Sequence, residues 1–147
     1  MVKGKMFKDY RDTGDPVSAS KIYNSQYVDE LIFIDLDATR YNKKTNCEII
    51  KKVSSVCFMP LTIGGGIKST SLIKELLHSG ADKVLLNSVL HDDLKFLRKA
   101  SKKFGNSCIV AGIDVKAEND DFFVYKDLGK KKCKVALIDH INYLQEH

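Results

Sequence analysis

Four short apolar runs recur along this chain at intervals of about 25 residues, a spacing typical of strand–helix units in a parallel sheet. The first run is continuously apolar, as in strands covered on both faces, and a helical pattern follows each of the four runs. The order predicts a parallel α/β protein built from right-handed crossovers. Two architectures stay open, a doubly wound sheet and part of an eight-stranded β/α barrel. The runs occupy Leu31–Ile34, 61–63, 81–86 and 108–115.

Local signals predict where the helices begin and end. Asp15 before Pro16 is an N-cap followed by a proline suited to the first helical turn. Gly80 and Gly105 are expected to end two later helices. Residues 1–15 and the lysine-rich run 130–134 are predicted to be loops, and 122–125 a short extra strand. The predicted helices cover about 16–26, 44–56, 69–80, 91–105 and 135–145.

Composition narrows the class of protein. The 147 residues predict a single domain, 1–147, and the 44% hydrophobic and 29% charged content is ordinary for a globular chain. No apolar run is long enough to span a membrane, and residues 1–15 are too polar for a secretory signal, so we expect a cytoplasmic protein. Four widely spaced cysteines predict reduced thiols, with neither a metal site nor a disulfide. We also expect no cofactor. The net charge of +5 suits an anionic small molecule, and we expect neither nucleic acid nor membrane as a partner.

The second apolar run passes directly into Gly64, Gly65 and Gly66, and Ser69 then offers an N-cap for the next helix. Glycines let an anion approach the main-chain N–H groups, and a helix N-terminus adds a favourable dipole. This layout is typical of a phosphate site. The alternative, a tight strand-to-helix turn that binds nothing, stays open on these residues alone.

Five motifs occur together in one order. They are VKGKMFKDYRDTGDP at 2–16, VDELIFIDLDAT at 28–39, PLTIGGGI at 60–67, ADKVLLNS at 81–88 and AGIDVK at 111–116. The set resembles the cyclase subunit of imidazole glycerol phosphate synthase, a family of histidine biosynthesis. It is also similar to relatives in bacterial surface-polysaccharide clusters that partner an amidotransferase. The resemblance implies a partial (β/α)8 barrel, truncated at both ends, with helices one to five and strands two to five but without the first strand and the last three.

The resemblance also implies a reaction. Family enzymes use ammonia from a glutaminase partner to convert a ribulosyl-aminoimidazole carboxamide nucleotide into imidazole glycerol phosphate and an aminoimidazole carboxamide ribotide. Two aspartates, at the ends of the first and fifth strands, act as general acid and base. Asp114 matches the fifth-strand aspartate, and the alternative for Asp114 is a solvated aspartate that caps a loop. The first-strand aspartate has no counterpart here.

Other residues match the family's binding positions. The three glycines with Asn87 and Ser88 match one substrate phosphate site, and Lys3 matches a lysine in a mobile loop that closes over substrate. Glu30 and Lys83 match a charged ring at the face where ammonia enters. Asp35, with Asp37, is expected to support the hydrogen-bond network at the strand ends. Without the resemblance, Lys3 is an exposed terminal lysine, and Glu30 and Lys83 are ordinary surface ion-pair residues.

Three functions therefore stay open. The first is a shortened cyclase homologue, a lyase by descent that is expected to be inactive alone. The second is a non-catalytic half-barrel that binds phosphate or a partner chain, and the third is an amidation-related subunit of surface-polysaccharide biosynthesis. We also expect self-association, because strands at the ends of an incomplete barrel leave unpaired edges.

Overall fold

The computed structural model describes residues 1–5, 8–119 and 121–146. Two compact units make up the chain, Met1–Val84 and Leu85–His147. The prediction of a single domain stays a prediction. No helix in the described ranges is long and apolar enough to cross a bilayer.

The first unit begins with a hairpin and continues with strands and helices in alternation. Strands β3 and β4 are parallel, with Leu31 opposite Leu61 and Ile34 opposite Gly64. Asp15, Asn46 and Ser69 cap α1, α3 and α4 by accepting main-chain N–H bonds, as their side-chain chemistry favours. The elements are β1 (Val2–Lys5), β2 (Lys8–Asp12), α1 (Pro16–Ser25), β3 (Leu31–Ile34), α2 (Leu36–Arg40), α3 (Cys47–Ser54), β4 (Leu61–Gly64) and α4 (Thr70–His78).

The core of the first unit lies between the β3–β4 pair and its helices. Helix α3 contacts α1 and α4. Apolar side chains recur on the inner faces of α3 and α4 at helical spacing, and these stripes are fully buried. The largest buried side chains are Ile50, Val53, Leu61, Ile63, Ile73 and Leu76.

Strand β5 (Lys83–Leu86) runs across the boundary, and the second unit then combines helices with an antiparallel sheet. Strand β8 pairs with β7 on one side and β9 on the other. Leu86, Leu90, Leu97 and Val124 are among its buried side chains. Its elements are α5 (Val89–Asp92), α6 (Leu94–Phe104), β6 (Ile109–Ala111), β7 (Asp114–Glu118), β8 (Asp121–Lys126), β9 (Lys131–Ala136) and α7 (Leu137–Gln145), with a 3₁₀ turn at Asn106–Cys108.

The fold-class prediction is confirmed. Four parallel strands form one sheet in the order β3-β4-β5-β6, which is also their order along the chain. Each is joined to the next through helical segments, as the repeated apolar runs predict. The predicted ends of two helices are confirmed as well, since Gly80 follows α4 at a φ of 100° and Gly105 follows α6 at 89°.

Three local predictions are wrong. Residues 1–15 contain the paired strands β1 and β2 rather than a loop, and the lysine-rich run contributes to β9. In β9, the Lys132 Nζ atom lies 3.1 Å from the centroid of the Phe123 ring and 2.7 Å from the Glu118 carboxylate. These cross-strand contacts stabilise a lysine-rich segment that its composition predicted to be a solvated loop. The apolar run 108–115 forms two strands, because the chain leaves the parallel sheet at Gly112 and pairs with β8 from Asp114 onward.

Candidate functional site

The glycine turn after β4 is held by close backbone approach. Gly65 has a φ of 108°, and a Cβ there would lie 2.2 Å from the Asp35 carbonyl oxygen. The Thr45 hydroxyl donates to the Gly65 carbonyl at 2.9 Å, and the Gly66 N–H donates to Thr39 Oγ1 at 3.0 Å. These contacts explain the glycines as a tight turn. They also show that an anion at Gly66 would compete with Thr39 for that N–H.

Asp35 lies at the carboxyl end of β3, beside the same turn. Its main-chain N–H donates to the Gly64 carbonyl at 2.9 Å. Its carboxylate accepts the Ala38 N–H at 3.0 Å and the Asn46 N–H at 3.4 Å, so it caps α2 and ties the loop before α3 to β3. Asp37 lies within α2 rather than on the strand.

Asp114 is the first residue of β7. Two residues before it, the Gly112 N–H donates to the Leu86 carbonyl at 2.7 Å. Gly112 allows this close passage, since a Cβ there would lie 2.7 Å from Leu85 Cδ2. Burial raises the pKa of the half-buried Asp114 carboxyl, against a hydrogen bond from Asn87 and the charge of Lys116. A carboxyl group with a raised pKa can hold a proton nearer to neutral pH.

Asn87 follows β5 and reaches Asp114 with its side chain. Its Oδ1 is buried and has no hydrogen-bond partner among the residues that the structure describes. A buried amide oxygen without a donor is uncommon in native proteins. The Asn87 side chain therefore brings a buried, unused acceptor beside the candidate acid.

Ser88 is joined to the turn between β8 and β9. The Asp127 N–H donates to Ser88 Oγ at 3.1 Å, and Lys126 forms an ion pair with Asp92. The turn has positive φ at Asp127, Leu128 and Gly129. A hydroxyl that accepts one hydrogen bond can still donate its own proton, so Ser88 remains able to bind an oxyanion.

Sequence reasoning missed the polar row on β7. Lys116 Nζ donates to the Gly129 carbonyl at 2.5 Å and lies 4.1 Å from the centroid of the Tyr125 ring. Tyr125 in turn hydrogen-bonds Glu118. A signal was present, because Asp114, Lys116 and Glu118 alternate in the sequence and alternate residues share one face of a strand.

Glu30 and Lys83 come together at the amino end of the strands. Lys83 Nζ lies 2.7 Å from Glu30 Oε1, and both side chains are partly exposed. The Asp82 carboxylate accepts the Leu61 N–H nearby at 2.8 Å. Such an exposed pair contributes little to stability, about 0–1 kcal/mol. Its proposed part in ammonia entry stays a prediction.

None of the contacts described above involves the Lys3 side chain or joins the glycine turn to Asn87 and Ser88. Lys3 belongs to β1 and pairs through its main chain with Arg11, and its side chain is outside the described part of the structure. The glycine turn belongs to the first unit, whereas Asn87 and Ser88 belong to the second. Their joint phosphate site stays a prediction.

The chain matches the sequence profile of a histidine biosynthesis protein family over residues 1–147. It is 41% identical over 147 residues to the imidazole glycerol phosphate synthase subunit HisF of Staphylococcus carnosus, covering 99% of this chain and 58% of that protein. Proteins of the same name from Exiguobacterium sp. and Dehalococcoides mccartyi are 40% and 43% identical, each over 95% of this chain and 54% and 55% of their own lengths. The chain thus spans about half the length of the curated relatives it matches.

Proposed function

Because the chain belongs to the histidine biosynthesis protein family, a family of β/α barrels, we propose that it carries part of the cyclase site of an imidazole glycerol phosphate synthase. The reaction class is that of a lyase. Ammonia adds to a phosphorylated aminoimidazole carboxamide nucleotide, and a carbon–nitrogen bond breaks as the imidazole ring closes. Both steps need proton transfers, which side chains at the strand ends can mediate.

The observation that carries this proposal is the environment of Asp114. Asp114 opens β7, just after the chain leaves the parallel sheet at Gly112, and burial raises the pKa of its carboxyl group. Asn87 and Lys116 limit that rise. A carboxyl group whose pKa is raised above its ordinary value holds its proton more readily, and such a group can give up and take back a proton in general acid–base catalysis.

The residues that we propose for phosphate binding are those of the glycine turn, Asn87 and Ser88. The main-chain N–H groups of the turn and the Ser88 hydroxyl are each able to donate to an oxyanion. The hydrogen bond between Gly66 and Thr39 breaks or is shared when phosphate binds. Lys3 closes over the bound substrate, and Asp35 keeps the turn in place through its bond to Gly64.

A glutaminase subunit is the proposed partner, with ammonia entering near the Glu30–Lys83 pair. Support comes from the relatives, which are named as subunits of a synthase, and from the position of this pair at the amino end of β3 and β5. We propose a cytoplasmic protein that needs no cofactor, since the acid–base chemistry uses side chains alone.

The test is an NMR titration of the 147-residue chain with ribose 5-phosphate. We expect saturable shifts at the amides of Gly64–Gly66 and at the Asn87 side chain. Gly66→Asp should abolish binding because a second anion would occupy the site, whereas Gly66→Ala should retain part of it. Gly14→Asp, at another positive-φ glycine with open surroundings, is the control for added charge. If no amide in the glycine turn or at Asn87 responds, the phosphate site is wrong.

A second candidate is a non-catalytic half-barrel that binds phosphate or a partner chain. The occupied Gly66 N–H and the backbone contact at Gly65 favour it, because both explain the glycines without any catalytic role. In that case Asp114→Asn would leave phosphate binding and partner binding unchanged. The amidation-related role in surface-polysaccharide biosynthesis would use the same residues on a different substrate.

A further inference from the structure

Two histidines from different helices stack in the second unit. The rings of His91 in α5 and His140 in α7 have centroids 4.3 Å apart and an interplanar angle of 20°. His140 is only 3% exposed. The Nε2 atom of each ring is buried and has no hydrogen-bond partner within the described ranges. Native structures rarely leave such atoms unpaired, so the pair indicates a missing partner.

A cavity of about 530 Å³ lies against this pair. Its volume is within the range of small-molecule sites, about 300–1,000 Å³. The wall is rich in hydrogen-bond donors and cations. It is formed by Leu90, His91, Lys126, Lys132, Cys133, Lys134, Val135, Asp139, His140 and Tyr143.

The charges around the cavity favour an anion. Three lysines line it, and Asp139 is the lining carboxylate among the described residues. Lys126 and Lys132 pair with Asp92 and Glu118 in partly exposed ion pairs. Exposed pairs of this kind are weak, so both ammonium groups can turn to a bound anion. Lys134 is exposed at the rim.

We propose that this cavity binds a phosphate group, either free or carried by a small molecule, with Lys134, His91 and His140 as its principal ligands. Phosphate offers several acceptor oxygens and suits a site with many donors. Binding would also stabilise the protonated imidazoles. Burial lowers the pKa of both rings. At His91, the charges of His140 and Lys126 lower the pKa further, whereas those of Asp92 and Asp127 raise it. The cavity shares no residue with the glycine turn, Asn87, Ser88 or Asp114.

The experiment follows the histidine side chains by proton–nitrogen NMR while inorganic phosphate is added to the full chain. We expect saturable shifts of His91 and His140 and a rise in the pKa of both. His78, an exposed histidine of α4, is the internal control. Sodium chloride at the same ionic strength should not reproduce the effect. A parallel titration with ribose 5-phosphate distinguishes the sources, because tighter binding than inorganic phosphate indicates a phosphate monoester.

Variants separate this cavity from the proposed substrate site. Lys134→Gln removes one charge from the rim and should weaken phosphate binding about fivefold. Lys99→Gln, at an exposed lysine of α6 outside the cavity, should leave the affinity unchanged. Asn87→Ala should retain the histidine response. The proposal is overturned if phosphate moves neither ring, if chloride has the same effect, or if the two lysine variants behave alike.

Discussion

Gly65 occupies a position where one added carbon would collide with the main chain. Its φ of 108° is unfavourable for residues with a side chain, and a Cβ would lie 2.2 Å from the Asp35 carbonyl oxygen. We predict that Gly65→Ala lowers the free energy of unfolding by about 3–5 kcal/mol, because backbone strain and collision add together. Urea denaturation measures this loss.

Gly14 is the matched control for that substitution. Its φ of 103° is nearly the same, but a Cβ there meets nothing within 4 Å. Gly14→Ala should therefore cost only the strain, about 1–2 kcal/mol. Equal losses in the two variants would show that the approach of Asp35 to Gly65 does not constrain this turn.

The stacked histidines predict a loss of stability in acid. Burial lowers the pKa of His91 and His140 in the folded chain below the ordinary value of 6.5. As the pH falls through 6.5 the unfolded chain gains protons first, so stability is full above this pH and declines below it. Each tenfold difference in proton affinity is worth about 1.4 kcal/mol.

Urea unfolding between about pH 8 and pH 5.5 measures this decline. His140→Phe keeps an aromatic ring against His91 and should reduce the acid loss. The same substitution at exposed His78 should leave the loss in place. A pH profile that is identical in wild type and His140→Phe would contradict the assignment.

Strand β3 is an edge strand that also exposes one of its faces. Ile32 and Ile34 are 51% and 47% exposed, although the continuous apolar run predicts burial on both faces. In the sheet order β3 stands at one end and pairs with β4 alone among the described strands. Ile32 and Ile34 share one face of the strand, and burying that face requires covering elements that the sequence of the strand does not supply.

We predict that the chain self-associates through this edge at micromolar concentration. Ile32→Lys should shift the population towards monomer, because a charge on an edge strand opposes further pairing. Ile22→Lys is the matched control, since Ile22 has a similar exposure of 56% but lies on helix α1. Light scattering measures the mass. A monomeric wild type would refute the prediction, as would equal effects of the two lysines.

For the whole molecule, the proposed chemistry predicts that residues 1–147 alone show no cyclase turnover when ammonia is supplied. By the family resemblance, catalysis uses a carboxyl group on each side of the substrate, and this chain supplies Asp114. Loss of general acid–base help typically lowers a rate by about 10²–10⁴. Steady-state assay of the purified chain measures this, and turnover would overturn the prediction.

Reconstruction provides the positive control. A family-like first strand with its aspartate and the further family strands are joined to the chain, and activity should then appear. Asp114→Asn should remove that activity, whereas Asp121→Asn, at an exposed aspartate that opens β8, should not. A reconstructed enzyme indifferent to Asp114→Asn would show that this carboxyl group does not transfer the proton.

Local chemistry allowed much of this architecture to be read from the sequence. Strand–helix order and helix ends depend on interactions between residues that are close together in the chain, so they follow directly from the sequence. Examples are the apolar runs, the caps at Asp15 and Ser69 and the glycines at Gly80 and Gly105. The glycine turn and Asp114 were visible for the same reason. Charge composition alone misassigned β9, because its lysines are held by partners on neighbouring strands.

Only the tertiary structure decided which distant residues meet. Contacts between separate elements determine three features of the structure. These are the point at which the chain leaves the parallel sheet, at Gly112, the contact of Asn87 with Asp114, and the Glu30–Lys83 ion pair. The stacked histidines lie on α5 and α7, far apart in the chain, and no local pattern joins them. Burial shifts the pKa of Asp114 and of these rings. It depends on the atoms that surround each group in the folded chain rather than on neighbouring residues in the sequence.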